Sequence, residues 1–180
     1  MFTPMSRRSF QAALAASVAM AGPALVVADD EFKRDYPEPK FKPSFKKPPL
    51  PKLMVQDFVI FGHGDLDMVK TLLEKEPALL NATMDWGAGD FETALGGASH
   101  VGNRPIAEFL ISKGARIDIF AATMLGLLEV VKGFLTMQPA LLNAKGPHGI
   151  SLITHAKMGK KEAAGVLSYL EEQKGKEGKK

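Results

Sequence analysis

The chain has 180 residues, 46% apolar and 24% charged, the balance of a folded soluble domain rather than of a disordered or membrane-filling one. Without cysteine it has no disulfide framework, thiol nucleophile or cysteine-ligated metal, so any chemistry falls to carboxylates, histidines and hydroxyls. The formal charge of +3 falls to +1 without Arg7 and Arg8, because all 20 acidic residues follow Ala28, and such a balance gives no long-range field to recruit nucleic acid.

Residues 1–28 read as an address. A basic start, an uncharged run from Ala12 to Val27, a Gly22-Pro23 break and small residues before Asp29-Asp30 follow the order of an export signal. Ser6-Arg7-Arg8-Ser9-Phe10 resembles the twin-arginine signal. The resemblance implies passage of the folded chain through the twin-arginine translocase, with Arg7, Arg8 and Phe10 as the recognised residues, and a periplasmic or otherwise exported bacterial location. The apolar run is shorter than the roughly 20 residues a span needs, so cleavage after Ala28 and no stable membrane span are expected. An uncleaved anchor is the alternative.

Residues 29–52 hold six prolines among lysines and aromatics, which predicts an extended, solvated linker. From there the chain repeats itself. PALLNA occurs at 77–82 and 139–144, and the match extends backward: residues 64–82 and 126–144 agree at eleven of nineteen positions, an offset of 62, or two periods of 31. A period in the low thirties predicts stacked helix-turn-helix units.

In the first unit Asp65 is placed to cap a helix with Leu66, Val69, Leu72 and Leu73 on its apolar face, and Pro77 ends it by pushing Glu76 out of helical space. Residues 83–92, TMDWGAGDFE, form an enlarged loop with the only tryptophan. Residues 92–118 then hold a short Ala/Gly-rich helix, a Gly102-Asn103 turn, and a helix carrying Ile106, Phe109 and Leu110 that stops at Gly114. Gly96-Gly97 inside the short helix costs roughly 1 kcal/mol per glycine relative to alanine, so something is expected to pack close to that backbone. From Gly102 to Gly126 is only 24 residues, which leaves almost no room for a β-finger before the third unit. Residues 173–180, rich in lysine and glycine, are expected to be disordered.

These units resemble the ankyrin repeat. Thr93-Ala94-Leu95 and Ala98 match its first part, and Gly102, Ile106-Ala107, Leu110-Ile111 and Gly114-Ala115 its second. Gly126, Val130-Val131 and Leu135 do so in a third unit, Gly149-Ile150-Ser151 and Ala156 in a fourth. The resemblance implies an all-α helical solenoid of about four units over residues 53–172. The tetratricopeptide alternative gives no reason for Gly114-Ala115.

A stack of helix pairs offers an extended face and loops that hold partners. The ankyrin resemblance implies a non-enzymatic, monomeric protein-interaction module without cofactor. Its expected contact residues are Asp85, Trp86, Asp90, Phe91, Glu92, His100, Met124 and His148. Trp86 is the natural hot spot, because it buries a large rigid area while keeping one donor. His63 and His148 read as turn residues bonding nearby backbone, and no histidine pair has metal-ligand spacing. The rival readings are a metal-dependent or acid–base hydrolase in which His100 joins Asp85, Asp90 or Glu92, and a structural spacer of the cell envelope.

Overall fold

The computed structural model describes residues 34–41 and 47–178. The chain divides into two units, residues 1–44 and 45–180. In the first, residues 34–41 are exposed and irregular, with Arg34 and Glu38 paired at 3.6 Å. The expected export signal, with Arg7, Arg8 and Phe10, lies outside the described residues.

The second unit is mostly helical. Its helices are α1 (Lys52–Phe61), α2 (Leu66–Lys75), α3 (Ala94–His100), α4 (Arg104–Ser112), α5 (Ile119–Leu125), α6 (Leu128–Met137), α7 (Leu152–Met158) and α8 (Ala164–Glu177). Helices α2, α3, α4, α5 and α7 start at a short polar side chain that caps them. Asp65 accepts from the Met68 amide at 2.9 Å, Thr93 from Gly96 at 3.0 Å, and Asp118 from Ala121 at 2.8 Å. Glu76 ends α2 with φ −142° and ψ 90°, the extended conformation that Pro77 imposes.

The two PALLN stretches fold alike. Pro77–Asn81 and Pro139–Asn143 each form a 3₁₀ turn, entered at nearly the same backbone angles and left by an extended alanine. They bury different leucines, Leu79 in the first copy and Leu142 in the second. Their asparagines serve different ends. Asn81 accepts from the Arg116 amide at 2.9 Å, whereas Asn143 donates to Glu177 and accepts from Lys174, both on α8. These bonds, with the Glu172–Lys176 pair, accompany α8 as a helix through Glu177, where the sequence reading has disorder from residue 173.

Helices α1, α3, α5 and α7 touch in sequence order, and each packs on the helix that follows it. The buried side chains form two clusters. One gathers Phe58, Val69, Leu79, Ile106, Leu110 and Met124, and the other Val131, Leu152, Val166 and Leu170. Between the first two pairs stands a hairpin of two short strands, β1 (Thr83–Asp85) and β2 (Phe91–Thr93), so the chain is not purely α. Thr83 faces Thr93, Met84 faces Glu92 and Asp85 faces Phe91.

No equivalent hairpin precedes α5, as the 24-residue spacing requires. Residues 115–117 lead straight to the Asp118 cap. Helix α3 also touches α7 directly. A Cβ on Gly102, just past α3, would lie 2.6 Å from the carbonyl oxygen of Met158 at the end of α7, so only glycine fits there. That contact sets the fourth pair beside the second and places the turn Pro147–Gly149, at the approach to α7, near β2.

Leu79 is fully buried and Met137 is 89% exposed, which separates their roles. Leu79→Ala is expected to lower unfolding free energy by about 2–5 kcal/mol, and Met137→Ala to change it by no more than about 0.5 kcal/mol, both read by urea denaturation.

Candidate functional site

The floor of the site is one row of side chains. Glu92 stands on β2 just before the Thr93 cap, and Gly96 and His100 follow four apart on α3; a Cβ on Gly96 would lie 3.3 Å from Glu92 Cγ, so the absent side chain leaves room for the carboxylate. A Cβ on Gly97 would come within 2.7 Å of the His63 ring. Gly97 thus makes room for an imidazole delivered from the turn after α1, and Gly96 lies against Glu92 and Pro147, which is the close packing that the sequence requires.

Four ring systems and one carboxylate meet there. Glu92 is 1% exposed, yet it is a carboxylate. Its Oε2 accepts a hydrogen bond from Trp86 Nε1 at 2.8 Å. His63 Nε2 lies 3.4 Å from Oε2 and His148 Nε2 3.6 Å from it, while His100 Nδ1 lies 2.9 Å from Oε1. The His100 ring stands 4.9 Å from that of His63 and 5.2 Å from that of His148, each edge to face. One ligand atom from each of His63, Glu92, His100 and His148 falls within 4.8 Å of all the others.

The outer partners fix which nitrogen of two rings is free. His63 Nδ1 is 3.0 Å from the Val59 carbonyl and 3.1 Å from that of Ile60, and as both only accept, Nδ1 carries the hydrogen and Nε2 turns to Glu92. His148 Nδ1 donates to Asp90 Oδ2 at 2.8 Å, and the His148 amide donates to Asp90 Oδ1 at 2.9 Å. Asp90 therefore grips residue 148 at both backbone and ring, across 58 positions of sequence. His148 takes a left-handed φ of 58° in this grip.

Burial pushes the Glu92 pKa up, but polar contacts with His100 and His63 and the charge on those imidazoles outweigh it and hold the carboxyl at about 2. For His63, burial works to lower the pKa. Glu92 and the Val59 and Ile60 carbonyls prevail and leave it raised. His155 sits outside the cluster beside Phe120, and burial lowers its pKa.

The structure separates the expected contact residues into two sets. Trp86 and Phe91 are 41% and 61% exposed, and Asp85 is exposed on the same hairpin. Asp85 accepts from the Gly87 and Gly89 amides at 2.8 and 3.1 Å, so it shapes the loop and does not join His100. Asp90 meets His148 rather than His100. Of the three carboxylates considered for His100, only Glu92 reaches it.

Met124 and Glu92 are corrections to the expected contact surface. Met124 is fully buried because α5 is enclosed between α3 and α7, and Glu92 lies beneath Trp86 and the three imidazoles. Neither side chain has surface to present to a partner. His100 is also largely covered, its side chain 10% exposed. Sequence reasoning missed His63 as a member of the cluster and placed His148 as a turn and contact residue, not beside Glu92. The signal for His63 was the unexplained Gly96-Gly97, since Gly97 lies against its ring.

A groove of about 310 Å³ runs beside the hairpin, with Asp90, Phe91, Asp118, Phe120, Lys145 and Pro147 on its walls. A larger one, about 350 Å³, lies between α2 and α4 near Lys70 and Phe109, and no histidine lines it. No protein-family model, curated protein or solved structure matches the chain.

The depressed Glu92 pKa fixes the sign of a pH effect. The stability it contributes is present above pH 4.5 and is lost as pH falls from there toward about 2. Over that window the wild-type protein should lose stability relative to Glu92→Gln, read by urea unfolding at a series of pH values.

Proposed function

We propose that the protein is an exported ankyrin-type stack of four helix pairs that binds a protein partner on the face formed by the β1–β2 hairpin and the adjoining groove. The observation that carries this reading is the pair of exposed aromatics, Trp86 and Phe91, held on a hairpin that is braced from below. Large exposed aromatics on a rigid support give much contact area with little ordering cost, which is how binding hot spots are made. The groove beside them, with Asp118 on one wall and Lys145 on another, gives a partner segment polar anchors of both signs.

The ankyrin reading draws support from the ordered contacts of α1, α3, α5 and α7 and from the pairing of each with its successor. It also accounts for PALLNA occurring twice at the same point of two units. The contact set is now Trp86 and Phe91 with Asp85, Asp90 and His148 at the rim, while Glu92, His100 and Met124 act from beneath. Export through a twin-arginine route suits a domain whose face is assembled only on folding, since Asp90 and His148 meet across units.

A second reading, chemistry at the polar centre itself, is favoured by the convergence of three imidazoles on one buried carboxylate.

The partner reading is tested by a photo-crosslinking residue placed at position 91 of the full chain in its native cells. A discrete adduct that disappears with Trp86→Ala is expected, together with a mature mass that begins at Asp29. The same adducts from a crosslinker at position 137, remote and exposed, would contradict the assignment to this face.

A further inference from the structure

We infer that His63 Nε2, His100 Nδ1, His148 Nε2 and a Glu92 carboxylate oxygen form a binding site for one zinc ion that ties the first, second and fourth helix pairs together. The inference is independent of partner docking and of chemistry at the centre.

Three observations carry it. The first is spacing. At 3.4 and 3.6 Å, the His63 and His148 nitrogens stand too far from Glu92 Oε2 for good hydrogen bonds. Zinc–nitrogen bonds of about 2.0–2.1 Å in a tetrahedron set neighbouring ligand atoms about 3.3–3.4 Å apart. Two edges of the cluster, 3.4 and 3.6 Å, are close to that length, and one ligand atom from each of the four residues lies within 4.8 Å of all the others, so small side-chain shifts would close the set around one ion.

The second is the orphaned pair. Glu92 Oε1 and His100 Nδ1 are both closed off from solvent, and although 2.9 Å apart they are not aligned as donor and acceptor. A close but misaligned contact leaves both shielded atoms without a hydrogen bond, which is costly, and a cation held by both would satisfy them.

The third is the surrounding shell. A metal-binding histidine characteristically donates its other N–H to a carbonyl or carboxylate, which fixes the tautomer and turns the lone pair inward. His63 does so to the Val59 and Ile60 carbonyls, His148 does so to Asp90, and Trp86 Nε1 orients the Glu92 carboxylate. Such outer contacts are not needed to fill space, since each acceptor is reached by the ring nitrogen that faces away from the cluster.

Three imidazoles and one carboxylate, with no thiolate available, suit a borderline ion of zinc type rather than calcium or magnesium, which favour all-oxygen shells. Four protein ligands complete a tetrahedron, so the site is a clamp rather than an open catalytic position. Its ligands come from the α1–α2 turn, from β2 and α3, and from the approach to α7, so the ion bridges pairs that are also joined by packing and by hydrogen bonds such as Asn103 to the His63 carbonyl and His148 to Asp90.

The test is zinc added to the metal-stripped full-length protein, read by titration calorimetry, by metal content after dialysis and by Tm. One equivalent retained with a raised Tm is expected, falling below about a tenth of an equivalent in His100→Ala and in Glu92→Gln. Asp90→Asn, which leaves every ligand in place, should weaken affinity about 10–100-fold. Phe91→Ala, which strips the docking face, should keep the zinc, so failure of partner binding and failure of metal binding are separable. Should the ligand variants not fold, cobalt(II) bound to the wild-type chain decides: visible bands of a four-coordinate site support the clamp, and a six-coordinate hydrated spectrum overturns it. Folded wild-type protein that retains no zinc also overturns it.

Discussion

A buried carboxylate is the constraint around which this domain is arranged. Glu92 is shielded from water, and a charge in that position is tolerated only where fixed dipoles and opposite charges surround it. Here the indole N–H of Trp86 and the imidazoles of His63, His100 and His148 do so. They belong to different segments, so satisfying one side chain requires the turn after α1, the hairpin, helix α3 and the approach to α7 to be in place together. Removing one partner leaves the charge exposed to an apolar interior, which makes the arrangement cooperative.

The unusual features of the chain follow from that demand. Gly96 and Gly97 weaken a short helix, but Gly97 opens the seat for His63, whose ring would collide with any side chain there, and Gly96 lies against Glu92. The missing hairpin before α5 leaves the space through which His148 reaches Asp90. Gly102 allows α3 and α7 to approach at the other end. Met124 is enclosed in the middle of this three-helix contact, and Arg104 donates to the Met124 and Leu125 carbonyls at 3.3 and 3.2 Å, tying α4 to the end of α5.

Much of the helical scaffold was legible in the sequence, because its signals are local. Asp65, Pro77 and Gly114 mark helix ends by their own backbone chemistry, and the repetition of PALLNA fixes a period without any knowledge of contacts. The 24-residue interval foretold the absent hairpin. The centre was legible only in fragments. Its members at 63, 92, 100 and 148 carry no local ligand spacing, and each has an ordinary local explanation: a turn, a strand, a helix end, a second turn. Their convergence depends on the approach of α3 and α7, which periodicity does not encode. Helix α8 was underread for the same reason, since Asn143 holds its end from 31 to 34 residues away.

The central claim is that segments distant in sequence are coupled through the Glu92 carboxylate. A double-mutant cycle between Glu92→Gln and His63→Asn, measured by urea unfolding at neutral pH, tests it most directly. A coupling free energy of about 0.5–3 kcal/mol is required for contacting members of one polar network. Additive effects, with coupling within about 0.5 kcal/mol of zero, would mean that His63 and Glu92 do not share a site and that the arrangement described here is wrong.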